Sequence, residues 1–134
     1  MTNLFSNMLT SICNAQRIKL EYTDIQYNKL CLNFLTALEE INYINHWHFN
    51  KNSSKKKTVR IYLKYSKHSS FTTPLFNNIK QISKKSNPVY ISAKMLWKLS
   101  ENNGIFIIST PLGILDNNTA KKYNVGGEVL CKLH

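Results

Sequence analysis

The stretch GIFIISTPLG, residues 104–113, decides the fold of the second half of the chain. Its apolar run is uninterrupted from Ile105 to Ile108, which is typical of a strand that is buried on both faces. A loop with proline and glycine follows, so the chain is expected to turn there. The later stretch VGGEVLCKL, residues 125–133, opens with a glycine pair and continues as a closing strand. The two stretches together predict a small sheet.

The first half of the chain shows two helical patterns and three strand patterns. Apolar residues recur three and four positions apart over residues 4–16 and 29–42, and Asn28 is placed to cap the second helix. Alternating apolar and polar residues predict the strands, at residues 18–22, 44–49 and 58–65. The polar, basic stretch NKNSSKKK between the last two is expected to be the turn of a hairpin.

Short elements are predicted on both sides of the buried strand. Ser92 is placed to cap a helix, and Asn124 can end a short helix in a left-handed conformation. Two further strands are expected at residues 76–83 and 89–91.

The chain is predicted to form two lobes. Residues 66–73, ahead of Pro74, are the best candidate for a boundary between them. We therefore predict an α+β fold in which two small α/β lobes, residues 1–68 and 69–134, pack together. Each lobe is expected to hold a short mixed sheet with helices.

The charge balance indicates the class of partner. The 134 residues include 18 lysines and arginines against 7 acidic residues, which gives a net charge of +11. Such a surplus on a small protein predicts a polyanion, either nucleic acid or an anionic membrane. A membrane fits less well, because no helix sets a basic face against a bulky apolar one and no apolar run approaches ~20 residues. The length excludes a large multidomain enzyme.

No cofactor or metal site is predicted. Cys13, Cys31 and Cys131 lie far apart in the sequence, so neither a zinc site nor a disulfide framework is indicated, and buried reduced thiols are expected. His46 and His48 share one face of a predicted strand, but no third ligand is close in sequence, so surface histidines are the default interpretation.

The chain is not expected to be an enzyme or to have a small-molecule substrate. Ser109 follows an isoleucine and lacks the glycine-flanked turn of a hydrolase nucleophile, and no histidine–acid pair is indicated. Glu39 and Glu40 are adjacent on a helix and therefore point in different directions. A loop that offers hydroxyl groups to a ligand fits better than a catalytic site.

The composition also suggests a source. There are 17 asparagines and 16 lysines but only 2 arginines, a bias that AT-rich codons produce. The first basic residue is Arg17, so no targeting peptide is expected, and an organelle's own genome would explain both features. We therefore expect a mitochondrial protein, with a plastid or the bacterial cytoplasm as alternatives.

The basic residues are the main functional signal. They are spread along the chain, often lie in predicted loops and alternate with hydroxyl, amide and tyrosine side chains, a mixture that suits RNA. The lysines taken as candidate RNA contacts are Lys29, Lys55, Lys56, Lys57, Lys84 and Lys85. A general RNA-binding module and a merely basic soluble protein remain as alternatives.

Three stretches resemble the small-subunit ribosomal protein S-eight family. They are NMLTSICNAQ (7–16), NKLCLNFLTALEEINYI (28–44), and GIFIISTPLG (104–113) with VGGEVLCKL (125–133). Their order and spacing cover nearly the whole chain. The resemblance implies a structural protein that binds the central domain of small-subunit rRNA and supports its assembly for translation. It also suggests the ribosomal proteins S-five and S-two as neighbours.

The resemblance carries specific RNA-binding residues onto this chain. In the family, the C-terminal loop presents hydroxyls to an irregular RNA core, a tyrosine precedes the third helix, and a GGE element opens the terminal strand. The matching positions here are Thr10, Asn14, Lys29, Tyr90, Ser109, Thr110, Gly113, Gly126, Gly127 and Glu128.

The chain departs from the family pattern at several contacts. Ser11 and Cys13 stand where the family usually has arginines, and Pro111 replaces a small polar residue of the loop. The lysines at 55–57, 84 and 85 are expected to compensate in part.

Overall fold

The computed structural model describes residues 4–50, 57–68, 71–74, 78–84, 86–99 and 104–133. These residues belong to two compact units, Met1–Asn77 and Asn78–His134. The boundary expected between residues 68 and 69 falls within the first unit, between two strands that pair with each other.

The first unit contains two helices and five strands within the described ranges. These are α1 (Leu4–Arg17), β1 (Tyr22–Gln26), α2 (Lys29–Glu40), β2 (Ile44–Asn50), β3 (Thr58–Leu63), β4 (Tyr65–His68) and β5 (Phe71–Pro74). Strand β3 is central in a three-stranded sheet of order β1-β3-β2, and β4 pairs with β5. The predicted pairing of residues 44–49 with 58–65 is confirmed for residues 58–63, and Tyr65 instead begins β4, which pairs with β5. The intervening residues 51–56 lie outside the described part.

The sheet of the first unit has one buried face. Along β3, Val59, Ile61 and Leu63 are buried and alternate with partly exposed residues. The apolar stripes of α1 and α2 are buried as well, and the rings of Phe5 and Phe34 meet edge to face with centroids 5.1 Å apart. This core explains why both helices follow their predicted periodicity.

Helix α1 ends in a turn where a strand was expected. Lys19 adopts φ = 57°, and Leu20 N donates to Ala15 O at 2.9 Å, which closes the helix with a left-handed residue. Ile18 and Leu20 are exposed, so their alternation does not reflect burial. The predicted strand at residues 18–22 is therefore wrong, and strand β1 begins at Tyr22.

The second unit is built around its last strand. It contains β6 (Ile79–Gln81), β7 (Tyr90–Ile91), α3 (Ala93–Leu96), β8 (Ile105–Thr110), β9 (Gly113–Asp116), α4 (Asn117–Lys122) and β10 (Gly127–Leu133). Strand β10 pairs with β8 on one side and with both β6 and β7 on the other, and β9 completes the sheet. The helix predicted after Ser92 and the left-handed Asn124 (φ = 55°) are both confirmed.

The fold class is α+β, as predicted, but the sheets are not mixed. Every strand pairing within the described ranges is antiparallel. In the second unit, Leu96 of α3, Ile108 of β8 and Ala120 of α4 form a buried cluster. Antiparallel strands can be joined by short turns, so the long crossover connections that parallel strands need are not required here.

The three cysteines are buried, as expected. Cys13 and Cys31 lie in the core of the first unit and Cys131 lies in β10. Burial raises the pKa of the Cys31 thiol from 9.0 to about 11, so this thiol stays protonated at neutral pH.

Candidate RNA-binding surfaces

The loop that the sequence analysis singled out is a tight turn between β8 and β9. Thr110 lies opposite Gly113 in the strand register, and only Pro111 and Leu112 separate them. The Thr110 hydroxyl donates to the carbonyl oxygen of Gly113 at 2.7 Å and accepts from the amide of Leu112 at 3.2 Å. Gly113 adopts φ = 122°, which favours glycine. Thr110 and Gly113 therefore fix the shape of the turn.

The glycine pair allows β10 to start close to its neighbours. A Cβ atom at Gly127 would overlap the carbonyl oxygen of Ser109. A Cβ atom at Gly126 would overlap the carbonyl oxygen of Ile91 and lie 2.8 Å from the amide nitrogen of Ala93. The two glycines thus pass between the end of β8 and the segment that links β7 to α3.

Tyr90, Glu128 and Ser109 lie side by side across three strands, and we call them the Tyr90–Ser109 row. Glu128 of β10 is directly opposite Tyr90 of β7 on one side and Ser109 of β8 on the other. Residues that are directly opposite in antiparallel strands point to the same face of the sheet. Tyr90 is 71 % exposed, and Ser109 is partly exposed beside the turn. The row therefore joins an open aromatic ring to a hydroxyl group.

Ser83, which was not among the predicted site residues, anchors the middle of this row. Its hydroxyl donates to Glu128 Oε2 at 2.7 Å and accepts from the amide of Val89 at 3.1 Å. Ser83 is buried, so these two bonds hold the carboxylate in a defined position. Ser83 and Glu128 are 45 residues apart in sequence, and no local pattern could have paired them.

The predicted residues of the first helix are exposed on α1. Thr10 and Asn14 are four positions apart and therefore lie on one face of the helix. The Thr10 hydroxyl donates to the carbonyl oxygen of Ser6 at 3.0 Å, within the helix. Arg17, exposed in the last turn, adds a positive charge at the same end of α1 as Asn14.

Two of the predicted lysines lie near the start of α2. Lys29 is the first residue of the helix, after the Asn28 cap, and it is exposed. The backbone of Lys57 accepts from the amide of Tyr27 at 2.9 Å, and its Nζ lies 5.7 Å from the centre of the Tyr27 ring. The fold therefore brings Lys57 next to the cap that precedes Lys29.

The other predicted lysines divide between the described and undescribed parts. Lys84 is exposed, and its backbone exchanges two hydrogen bonds with that of Asn87. Lys55, Lys56 and Lys85 lie outside the described residues. The second unit thus gathers Tyr90, Ser109, Thr110 and the GGE element at one end of its sheet.

The described residues bring no metal-binding group together. No cluster of three or more histidine, cysteine or acidic side chains suited to a metal occurs among them. His46 Nδ1 lies 3.0 Å from Glu39 Oε1, and His48 Nε2 lies 3.4 Å from the Tyr62 hydroxyl. Across the same described ranges, no helix has both the length and the apolar character to cross a bilayer.

Comparison with known proteins identifies the family. The family described as "Ribosomal protein S8" matches residues 3–134. The chain is 33 % identical to the small ribosomal subunit protein uS8 of Chlamydia trachomatis over 126 residues, which cover 94 % of this chain and 92 % of the relative. The protein of the same name from Syntrophus aciditrophicus is 33 % identical over 135 residues, covering 99 % and 98 %. That from Orientia tsutsugamushi is 36 % identical over 136 residues, with the same coverage.

These relatives are bacterial proteins. They give no support to the expected mitochondrial location and agree with the bacterial alternative. The match extends over almost the full length of this chain and of each relative, so it includes both units. The chain belongs to the ribosomal protein S8 family, whose members are structural, non-enzymatic proteins of the small ribosomal subunit.

Proposed function

We propose that this chain binds the central domain of small-subunit rRNA and supports assembly of that domain for translation. The Tyr90–Ser109 row and the adjoining β8–β9 turn form the specific contact surface. The observation that carries the proposal is the availability of this surface: an exposed tyrosine ring lies in line with a hydroxyl group at the edge of a rigid turn.

Ser109 supplies the polar contact. Within the described part of the chain its hydroxyl has no hydrogen-bond partner, whereas the Thr110 hydroxyl is occupied inside the turn. Protein hydroxyls of this kind can bond to 2′-hydroxyls and base edges in the shallow groove of RNA. Ser109 therefore contacts the RNA directly, and Thr110 contributes by shaping the turn.

Tyr90 supplies a stacking surface. Its ring is largely exposed, and the backbone pairing of Tyr90 with Glu128 fixes where the ring leaves the sheet. Unstacked RNA bases pack on such rings with little dependence on sequence. A base that is displaced from an irregular helix can thus be held on Tyr90 while Ser109 bonds to its backbone.

The lysines provide affinity that depends on salt. Lys29, Lys57 and Lys84 are exposed. The net charge of +11 adds a general attraction to the phosphates of RNA. Each lysine placed at a phosphate releases condensed counterions, so the logarithm of the binding constant falls with the logarithm of salt concentration. Lysines 55, 56 and 85 are proposed to act in the same way.

The proposed setting is a ribosome of the bacterial type, which the bacterial relatives support. The ordered RNA domain would then present sites to the neighbouring proteins S-five and S-two. Family membership favours this setting over a general RNA-binding module outside the ribosome.

The test compares two RNAs across a salt series. The helix from the central domain of small-subunit rRNA is compared with a scrambled hairpin of equal length. We expect Tyr90→Leu to weaken binding to the rRNA helix by roughly tenfold, since stacking on one base contributes about 1–3 kcal/mol. Ser109→Ala should weaken it severalfold, since a hydrogen bond contributes about 0.5–1.5 kcal/mol. Binding to the scrambled hairpin should change much less, because it lacks the displaced base of the rRNA helix and is held mainly by charge.

Matched variants control for lost hydroxyl and ring groups. Thr36→Val removes an exposed hydroxyl from α2, and Tyr123→Leu removes an exposed ring, and neither should affect either RNA. Replacing Lys84 with Gln should lower the salt slope by about one for the rRNA helix. Equal losses on both RNAs for Ser109→Ala and Tyr90→Leu would show that the row makes no specific contact.

A further inference from the structure

The sheet of the first unit presents an unusual outer face, opposite its buried core. Tyr22, Tyr62 and His46 lie side by side across β1, β3 and β2, and Asp24, Arg60 and His48 form the adjacent row. We call these six residues the aromatic face. Tyr22 is 41 % exposed, and the His46 side chain is 60 % exposed, so the face is open at both edges.

The planar groups of this face lie close to one another. The ring centroids of Tyr22 and Tyr62 are 5.9 Å apart, those of His48 and Tyr62 are 5.4 Å apart, and those of His46 and His48 are 5.9 Å apart. The strand register fixes these spacings, because all four side chains emerge from hydrogen-bonded strands. Four rings therefore follow one another across the sheet, with neighbouring planes tilted by 45° to 59°.

A guanidinium group lies among these rings. The Cζ atom of Arg60 lies 4.1 Å from the centre of the Tyr22 ring, a cation–π distance. The same guanidinium donates to both carboxylate oxygens of Asp24, at 2.9 and 3.2 Å. Arg60 is thus held beside the Tyr22 ring by Asp24, so the aromatic face includes a guanidinium group.

We propose that the aromatic face binds unpaired RNA bases. Bases stack on tyrosine, histidine and guanidinium planes, and an open antiparallel sheet is a suitable support for several of them at once. The partner is RNA rather than an apolar protein surface because the net charge of +11 attracts a polyanion, and because bases stack on tyrosine, histidine and guanidinium groups such as those of this face. The surface belongs entirely to the first unit, so it is separate from the Tyr90–Ser109 row.

Asp24 limits the strength of this interaction. Its carboxylate neutralises Arg60 and would repel a phosphate that approaches the guanidinium. Substituting Asp24 with Asn removes that charge while the amide oxygen can still accept from Arg60. If RNA contacts the face, Asp24→Asn therefore strengthens binding, whereas a purely structural ion pair would give no such gain.

The test uses the full chain and a short single-stranded RNA with 2-aminopurine at its centre. Fluorescence of 2-aminopurine falls when the base stacks. A duplex of the same sequence serves as the control, because its bases are already stacked on one another and cannot pack on the protein. We expect Tyr22→Leu to weaken single-strand binding by roughly tenfold and to remove the quenching. Asp24→Asn should strengthen binding severalfold, and duplex binding should change less than twofold in either variant.

A charge-matched variant separates local contact from net charge. Glu40→Gln removes one exposed negative charge at the end of α2, away from the sheet register of the aromatic face. Equal gains from Asp24→Asn and Glu40→Gln would overturn the proposal, as would a loss in Tyr22→Leu that is the same for single strand and duplex. Because Asp24→Asn is a conservative change on an exposed side chain, the test does not depend on Tyr22→Leu remaining folded.

The inference rests on the proposed function only in that both partners are RNA. Ser109→Ala should weaken binding to the rRNA helix and leave the single strand unaffected, and Tyr22→Leu should do the reverse. A result that contradicts RNA binding by one surface can therefore be distinguished from a result that contradicts RNA binding by the other.

Discussion

At the scale of single residues, the GGE element has a packing role that its sequence did not reveal. The resemblance marked Gly126, Gly127 and Glu128 as RNA-binding positions. The structure shows that Gly127 has no room for a side chain beside Ser109, and that Glu128 accepts a hydrogen bond from buried Ser83. These residues hold Ser109 and Tyr90 in register, so changing them would shift both side chains. That the three residues also contact RNA stays a prediction.

The close approach at Gly127 gives a stability prediction. In Gly127→Ala the new methyl group would overlap the carbonyl oxygen of Ser109, so β8 and β10 must separate locally. We expect a loss of about 1–3 kcal/mol in the free energy of unfolding, as for other overpacked sites. Urea denaturation measures the loss, and hydrogen exchange should show faster exchange of β10 amides such as that of Val129.

Gly113→Ala is the matched control for this prediction. A Cβ atom at Gly113 would meet no atom within 4 Å, so the substitution tests the strain of φ = 122° without overlap. Its effect should be confined to the β8–β9 turn. Normal exchange of the β10 amides in Gly127→Ala would contradict the packing role assigned to this glycine.

At the scale of elements, the sequence correctly predicted the helices and strands whose apolar pattern results from the burial of one face. Helices α1 and α2 and strand β3 each have one buried face, and a periodic apolar pattern follows from that. The alternation at Ile18 and Leu20 has no such cause, since both residues lie exposed in the turn after α1. The register of β10 against three other strands was also beyond prediction, because it depends on contacts between distant segments.

The predicted cap of α2 can be measured directly. The Asn28 side chain accepts from the amide of Leu30 at 3.0 Å, and the helix carries Phe34, Leu35 and Leu38 into the core. Asn28→Ala should lower the free energy of unfolding by about 1 kcal/mol. Asn33→Ala, at an exposed position within the same helix, should be neutral or slightly stabilising, since alanine favours helices. Equal effects of the two substitutions in urea denaturation would contradict the capping role.

At the scale of the whole molecule, each of the two compact units has its own stabilising contacts. The β1-β3-β2 sheet of the first unit and the sheet around β10 in the second each contain buried residues. The sequence predicted two lobes from a shift in composition near residues 66–73. It did not predict that the strand pair β4–β5 occupies this region, because hydroxyl-rich segments of four residues carry little periodic signal.

This organisation predicts that the effects of mutations stay within one unit. Native-state hydrogen exchange reports local opening of each part of a protein. Asn28→Ala should accelerate exchange in α2 and β3 and leave β8 and β10 unchanged, and Gly127→Ala should show the opposite pattern. Acceleration spread evenly over both units in either variant would show that they open together.

The position of β10 affects how the protein forms during translation. Residues 127–133 make the strand on which β6, β7 and β8 all pair, and they are the last to be synthesised of the described sheet. The three-stranded sheet of the first unit can be completed as soon as β3 has left the ribosome, because its strands β1, β2 and β3 come from the first 63 residues. Strands β6, β7 and β8 keep unpaired edges until β10 emerges, so the nascent second unit is the part that most needs protection from aggregation.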